Sequence, residues 1–140
     1  SYAKAINEQI DNEGLSDRVI YSSPSHINIG KFMNAVDVVV MPSITTPVWI
    51  EQYGRVAPEA MACGKIVIAS NTGALPMLLN GHGLLFDEGN INDLTNKLTD
   101  IIVGSDRGLL FSPQEISDYA HKSLNTVKQA KSMLTFMGGI

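Results

Sequence analysis

The sequence has little of what a disulfide scaffold, a membrane span or a nucleic-acid-binding surface requires. Its single cysteine, Cys63, excludes an internal disulfide and is typical of a reducing compartment, so we expect a cytoplasmic protein. The longest apolar stretch covers residues 36–41, is interrupted by Asp37 and is far too short to span a bilayer. The net charge is −4 and the ten Lys and Arg residues are scattered, so we expect no nucleic acid partner.

Aromatic residues are also scarce, at 6%, so the core must be mainly aliphatic. Hydrophobic residues make up 44% and charged residues 17%, a balance that excludes a disordered chain. A length of 140 residues leaves room for one domain. The first residue is serine and not methionine, and the chain opens with a predicted helix. Nothing there resembles a signal peptide. We therefore expect it to be a fragment of a longer protein.

Short aliphatic runs alternate with helical stretches along most of the chain. The runs are residues 19–21, 38–41, 66–69 and 84–86. Each is apolar on both faces, as in parallel strands that are covered by helices on both sides. The predicted helices are residues 2–13, about 29–35, about 53–62, about 74–79 and about 91–103. This alternation predicts an α/β fold with a Rossmann-like, doubly wound parallel sheet and helices on both faces.

The pattern changes after Gly104. Ser112 and Pro113 are typical of a helix start, with serine as the cap and proline at the first helical position. One long helix is predicted from there, without a strand after it. Its apolar face would carry Ile116, Tyr119, Ala120, Leu124, Val127, Ala130 and Leu134.

Two glutamates, Glu51 and Glu59, lie around the start of the helix predicted at about 53–62. Ligands of a doubly wound sheet bind outside the carboxyl ends of its strands, where loops lead into helices, and Glu51 lies in such a loop. If Glu51 caps the helix, the two residues lie about 12 Å apart along its axis, at 1.5 Å per residue. That is comparable with the span from a sugar ring to a ribose across a diphosphate.

The residues between the two glutamates fit the same hypothesis. The amides of Tyr53, Gly54 and Arg55 would form the positive end of the helix, which suits phosphates, and Gly54 would admit a ligand close to the backbone. An ordinary structural interpretation also stays open, because glutamate in a first helical turn suits the helix dipole and Glu59 could be a surface residue. Spacing alone does not decide between the two.

The motifs around these glutamates resemble those of a known family. They are P-S, then E-Q-Y-G-R-V-x-x-E-A-M-A-C-G-x-x-V-I-A-S, then N-T-G-A-L-P and G-H-G-L-L-F. In this order they resemble the C-terminal, donor-nucleotide domain of retaining GT-B glycosyltransferases of the glycosyl transferases group 1 family. That family includes sucrose synthases, glycogen synthases and many bacterial enzymes of polysaccharide biosynthesis. The resemblance runs from about residue 19 to about residue 102.

The resemblance implies roles for individual residues. The first glutamate of the pair, Glu51, would contact hydroxyls of the donor sugar and is the catalytic candidate, and Glu59 would bind the ribose hydroxyls. Val56 would lie against the ribose or the base. The implied donor-binding residues are Glu51, Gln52, Tyr53, Gly54, Arg55, Val56 and Glu59.

The sequence departs from the family pattern in several places. Residues 21–23 stand where the family more often has glycine in a loop that contacts the base, and Met77 replaces a common glutamate. Pro58 fits a helix only in its first turn, which moves the predicted start to near Val56 and Ala57.

Parts of the family's domain are absent from this sequence. Two upstream strands with a glycine-rich loop, and an N-terminal acceptor domain, have no counterpart here. We therefore expect residues 1–104 to form a nucleotide-sugar-binding Rossmann-like domain without its N-terminal strands, and residues 105–140 to form a helical extension of it. The chain alone is expected to be inactive. The strand at 19–21 is expected to pair directly with 38–41 or with another copy.

The expected ligand is a nucleotide diphosphate sugar, without a metal or other cofactor, because the resemblance implies that helix dipoles and basic side chains stabilise the leaving diphosphate. His26, His82 and His121 have no metal-site spacing. The missing N-terminal acceptor domain is the expected partner, while peripheral membrane contact through the parent enzyme and self-association stay open. Two alternatives are a nucleotide-sugar epimerase and a non-catalytic, flavodoxin-like module that binds nucleotide or a protein.

Overall fold

Three parallel strands form the centre of the fold, in the order β1-β2-β3. The computed structural model describes residues 2–104, 111–136 and 138. The strands are β1 Val38–Met41, β2 Ile66–Ser70 and β3 Leu84–Phe86. The helices are α1 Tyr2–Asn12, α2 Ile29–Asn34, α3 Val56–Ala62, α4 Leu75–Leu79, α5 Ile91–Val103, α6 Pro113–Ser123 and α7 Thr126–Phe136, with a 3₁₀ turn His26–Asn28 before α2. This arrangement confirms the predicted α/β, Rossmann-like fold class.

The register of the sheet brings the carboxyl ends of all three strands to one edge. Met41 of β1 pairs with Ala69, and Ser70 pairs with Phe86 of β3. Helix α3 connects β1 to β2, and α4 connects β2 to β3, so each connection is a β-α-β crossover. The loops that leave the three strands therefore lie side by side.

The core lies around the central strand and the two crossover helices. Val67, Ile68 and Ala69 of β2 have no exposed surface, and neither do Met61 of α3 or Leu79 of α4. Burial of each large side chain stabilises the fold by about 1.5–3 kcal/mol. The core is mainly aliphatic, as the scarcity of aromatic residues predicted, with Phe86 of β3 buried as well.

Helix α6 completes this core by packing on α3. Its Ile116 and Ala120 are buried, and the Ser117 hydroxyl donates a hydrogen bond to the carbonyl of Ala62, at 2.9 Å. At the end of α3, Gly64 has a φ of +68°, and a Cβ there would lie 2.7 Å from the carbonyl oxygen of Pro113. Glycine is needed at this junction because the two backbones approach so closely.

The predicted start of α6 is confirmed by a full capping box. The Ser112 hydroxyl accepts a hydrogen bond from the amide of Glu115 at 3.2 Å, and the Glu115 carboxylate accepts one from the amide of Ser112 at 2.7 Å. Pro113 is the first helical residue. Residues 105–110 lie outside the described residues, so the domain boundary predicted after Gly104 stays a prediction.

The prediction of one long C-terminal helix was wrong. Helix α6 ends at Ser123, and α7 begins at Thr126. Between them, the Asn125 side chain accepts hydrogen bonds from the amides of Val127 and Lys128, at 2.9 and 3.3 Å. Asparagine is a favourable N-cap because its short side chain satisfies amides that have no partner within the helix, so it starts a second helix here.

The predicted strand at residues 19–21 was also wrong. These residues form no strand, and the side chains of Ile20 and Tyr21 are 86% and 70% exposed. The Tyr21 hydroxyl donates to the Asn7 side chain at 2.7 Å, so this segment runs beside α1 instead of pairing with β1. A short apolar run has a strand's preference, but it needs a hydrogen-bonded neighbour to become a strand. Pairing with a second copy stays a prediction.

Within the described ranges, no helix has both the length and the apolar character that crossing a membrane requires.

Candidate functional site

Glu51 lies half-buried at the carboxyl edge of the sheet, held by its own loop after β1 and by the loop that follows β2. Its Oε1 accepts a hydrogen bond from the amide of Gly54 at 2.9 Å, and its Oε2 accepts one from the hydroxyl of Ser43 at 3.3 Å. Its carbonyl oxygen accepts a third from the amide of Ala74 at 3.0 Å. A carboxylate offers about four acceptor sites. The Gly54 and Ser43 contacts use two of them, so about two remain for a ligand's hydroxyls.

Two glycines make this position of Glu51 attainable. Gly73 has a φ of +55°, and a Cβ there would lie 2.1 Å from the carbonyl oxygen of Glu51. Gly54 has a φ of +65°, and a Cβ there would lie 2.6 Å from Cδ2 of Leu75 and 3.3 Å from Cε of Met41. Left-handed backbone and close packing both require glycine at these two positions.

The role expected of Gly54 was wrong in one respect. We expected its amide to face a phosphate and its missing side chain to admit a ligand. In the structure Gly54 is buried, its amide donates to Glu51, and the space beside it is filled by Leu75 and Met41. Its immediate function is therefore to shape the loop that orients Glu51.

The expected capping of α3 by Glu51 was wrong as well. The helix begins at Val56, so Pro58 lies in its first turn, as the corrected start predicted. The carbonyl of Gly54, which precedes the helix, accepts a hydrogen bond from the amide of Ala57 at 2.9 Å. Glu51 therefore precedes the helix, and the estimate of about 12 Å along one helix axis does not apply.

The other predicted donor-binding residues are exposed around Glu51. They are Gln52, Tyr53, Arg55, Val56 and Glu59. Within residues 2–104, 111–136 and 138, the amides of Tyr53 and Arg55 donate no hydrogen bond, and the Glu59 carboxylate accepts none. These groups are available to a ligand, and their predicted contacts with a donor stay predictions.

A second polar cluster at the same edge had not been predicted. It joins Thr45, Thr72 and Glu88, which follow β1, β2 and β3. The Glu88 carboxylate accepts hydrogen bonds from the amide of Thr45 and, at 3.2 Å, from its hydroxyl. The Thr45 and Thr72 hydroxyl oxygens lie 2.5 Å apart. The rule that ligands and polar groups gather at the carboxyl ends of strands could have indicated this cluster, had it been applied to all three strands.

Hydrogen bonding to Glu88 stabilises its ionised form. The amide of Thr45 contributes most to lowering the pKa of Glu88 below its usual value of 4.5, and the Thr72 and Thr45 hydroxyls lower it further. Glu88 itself is exposed. It is therefore a charged acceptor at neutral pH.

The loop between Ser43 and Glu51 folds back on itself as a tight turn. Thr46 and Trp49 form an antiparallel bridge, with N–H···O distances of 2.8 and 3.2 Å. Beside the turn lies an open groove of about 400 Å³, lined by residues 45–50 and by Gln52. Val48 at its tip is 94% exposed, and Trp49 is 49% exposed.

Away from this edge, His82 takes part in a stack of aromatic rings. His82 precedes β3 and stacks on Tyr119 of α6, with ring centroids 3.9 Å apart, and on Phe111 at 5.0 Å. The Tyr119 hydroxyl donates to the carbonyl of Leu78 at 3.0 Å, and burial raises the pKa of Tyr119. His82 thus packs between the end of α4 and α6. In the described part of the chain, no three His, Cys, Asp or Glu residues are grouped as a metal site would need.

Comparison with known proteins identifies the family to which the sequence is similar. Residues 1–123 match the sequence profile of the family Glycosyl transferases group 1. The chain is 36% identical over 106 residues to D-inositol 3-phosphate glycosyltransferase of Paenarthrobacter aurescens, which covers 72% of this chain and 25% of that protein. It is 34% identical over 101 residues to an uncharacterized glycosyltransferase of Methanocaldococcus jannaschii, which covers 71% and 27%. The chain spans about a quarter of the length of these curated relatives.

Solved structures show the same fold. The crystal structure of Anabaena HepE in complex with UDP is similar with a TM-score of 0.83 and 26% identity, over 97% of this chain and 36% of that one. The complex of HepE with UDP and glucose gives a TM-score of 0.77. The C-terminal domain of a glycosyl transferase group 1 family protein from Francisella tularensis shares the fold, with a TM-score of 0.71 and 23% identity over 89% of this chain and 63% of that one. The chain belongs to the glycosyl transferases group 1 family.

Proposed function

We propose that this chain forms the donor-binding part of a retaining GT-B glycosyltransferase, which transfers a sugar from a nucleotide diphosphate sugar to an acceptor. The observation that carries the proposal is the Glu51 carboxylate, held by Gly54 and Ser43 at the carboxyl edge of the sheet with acceptor sites left over. The similarity to a structure in complex with UDP and glucose supports a nucleotide-sugar ligand.

In this proposal each glutamate has one task. Glu51 accepts hydrogen bonds from hydroxyls of the donor sugar, and because its position is already restrained, little conformational entropy is lost when the donor binds. Glu59, exposed in the first turn of α3, accepts hydrogen bonds from the ribose. The amides of Tyr53 and Arg55 donate to the diphosphate between them.

The chemistry proposed is cleavage of the bond between the anomeric carbon and the diphosphate oxygen. The acceptor oxygen bonds to the same face of the sugar, and its proton leaves with the diphosphate. The chain's own contribution is to hold the donor in one orientation and to stabilise the departing diphosphate, without a metal. A GT-B cleft lies between two domains. We therefore propose that this chain alone binds the donor and that transfer needs an acceptor domain.

Titration of the ¹⁵N-labelled chain with UDP, GDP and ADP tests the proposal. We expect amide shifts in residues 51–59 with at least one of the three nucleotides, and a further shift near Glu51 with the matching sugar nucleotide. Absence of any perturbation in residues 51–59 at millimolar nucleotide would rule out donor binding by this chain. Shifts that are identical for a nucleotide and its sugar conjugate would favour a non-catalytic nucleotide-binding module instead.

A further inference from the structure

Glu88 ties the loop that carries Glu51 to the end of β3. The loop runs from Ser43 to Glu51, and Glu88 binds both the amide and the hydroxyl of Thr45 near its beginning. We propose that Glu88 is a positioning residue of the donor site, which sets the orientation of the Glu51 carboxylate by holding Thr45. This inference rests on the proposed function of that site.

The donors of the cluster converge on the Glu88 carboxylate. An ionised carboxylate only accepts, so the Thr45 hydroxyl donates its single proton to Glu88. The Thr72 hydroxyl oxygen lies 2.5 Å from that of Thr45 and also interacts with the Glu88 carboxylate. Both threonine hydroxyls therefore converge on Glu88, and Thr72 is 7% exposed.

The loop transmits this restraint from Thr45 to Glu51. The bridge between Thr46 and Trp49 couples the two arms of the loop by two hydrogen bonds, so one arm cannot shift without the other. The second arm ends at Glu51, whose carbonyl accepts from the amide of Ala74. Thr45 and Glu51 are thus both attached to the segment 72–74 that follows β2. Glu88 adds the attachment to the segment that follows β3.

The ordinary interpretation of Glu88 is an exposed residue that merely caps a loop. Its exposure means that the overall stability of the fold depends little on it. The two interpretations differ in what happens at Glu51, because a local cap would leave the contacts of Glu51 unchanged. The amide of Gly54 donates to Oε1 of Glu51, so its protection from hydrogen exchange reports that contact without any ligand.

The test compares Glu88→Gln with Asp87→Asn in the ¹⁵N-labelled chain. Both variants remove one negative charge from the same loop, but the Asp87 carboxylate forms no hydrogen bond in the described part of the chain. We expect the Gly54 amide to exchange about three to ten times faster in Glu88→Gln and at the wild-type rate in Asp87→Asn. Equal Gly54 exchange in Glu88→Gln and the wild type overturns the inference.

Thr45 supplies a second pair of variants if Glu88→Gln does not fold. Thr45→Val removes the hydroxyl and keeps the backbone amide, whereas Thr45→Ser keeps both. We expect faster Gly54 exchange in Thr45→Val and rescue in Thr45→Ser. The same rate in all three proteins would also overturn the inference.

Binding measurements with four ligands distinguish this inference from the proposed function. The ligands are two pairs, UDP with UDP-glucose and GDP with GDP-mannose. Glu88→Gln is expected to weaken binding of the sugar nucleotide at least about threefold more than binding of the nucleotide. If the wild type binds none of the four while Gly54 exchange still rises in Glu88→Gln, the proposed function fails and the positioning of Glu51 stands. If the wild type binds a sugar nucleotide and Glu88→Gln binds it equally well, the positioning role fails and the proposed function stands.

Discussion

Residues 2–28 and residues 38–86 both contain apolar runs, yet only the second region has a core. Between residues 2 and 28 no side chain is buried, and Ile20 and Ile27 are 86% and 92% exposed. Between residues 38 and 86, Ile68 and Leu75 have no exposed surface. The second region has adjacent strands and crossover helices that cover each other's apolar faces, whereas the described part of the first region has no such neighbour. Apolar character thus predicts an element, and its neighbours decide whether it is buried.

The largest difference between the two regions should be seen on truncating apolar side chains. Leu75→Ala is expected to lower the free energy of unfolding by about 2–5 kcal/mol, because it leaves a cavity between α4 and the sheet. Ile20→Ala, at an exposed site, should change it by no more than about 0.5 kcal/mol. Urea unfolding followed by far-UV circular dichroism measures both. A large effect of Ile20→Ala would indicate that the first region is packed in solution, for example against a second copy.

Glycines with positive φ sharpen the comparison. Gly73→Ala and Gly14→Ala introduce a Cβ at φ values of +55° and +65°, but only Gly73 has a neighbour, the carbonyl oxygen of Glu51. The left-handed backbone alone costs about 1–2 kcal/mol at each position. Gly73→Ala should therefore destabilise the protein by at least about 1 kcal/mol more than Gly14→Ala, because the Glu51 backbone must move. Equal losses in a urea unfolding experiment would contradict the close approach of these two segments.

The two glutamates of the proposed donor site should differ in their effects in a full-length protein that contains this chain. Glu59→Ala is expected to weaken binding of the free nucleotide by about 1–3 kcal/mol, since a charged hydrogen bond to the ribose is lost. Glu51→Ala should leave nucleotide affinity nearly unchanged and lower turnover of the sugar nucleotide. Calorimetry with UDP and GDP, together with donor turnover, distinguishes the variants, and Glu13→Ala in the first region is the control. Interchanged effects would mean that the proposed orientation of the donor is reversed.

A smaller effect is expected at the start of α6, which covers α3. Ser112→Ala removes one half of the capping box and should lower the free energy of unfolding by about 1 kcal/mol. Ser112→Asp keeps an acceptor for the amide of Glu115 and is the matched control. A loss of the same size in both variants would show that the cap contributes little.

The smallest expected effect is a dependence of stability on pH. The amide of Ser112 is the main cause that lowers the pKa of Glu115 below its usual value of 4.5, and the amide of Thr45 does the same for Glu88. A lowered folded-state pKa means that each carboxylate stabilises the fold fully above pH 4.5, and that this contribution disappears as the pH falls through the folded-state value. In Glu88→Gln, the free energy of unfolding measured in urea should therefore depend less on pH between pH 6 and pH 3 than in the wild type. The same pH profile in that variant and the wild type would contradict the shift.

The sequence predicted most helices and three strands because their signals are local. The Ser112 cap and the Pro58 rule both concern contacts within one turn of helix. The same kind of signal was overlooked at Asn125, which divides the predicted long helix into α6 and α7 by accepting from two amides. The strand at 19–21 could not be decided locally, since a strand exists only beside another strand.

By itself the sequence determined the α/β class, the location of the Glu51–Glu59 segment at a strand's carboxyl end, and the family motifs around it. These depend on residue type and on spacing within about one helical turn or one strand. The tertiary structure alone decided that α6 buries Ile116 while the equivalent face of α7 leaves Leu134 58% exposed. It also decided that Thr45 and Glu88, 43 residues apart, share hydrogen bonds. Such pairs meet only because parallel pairing brings the ends of β1, β2 and β3 to one edge, and that register arises from the packing of the whole sheet.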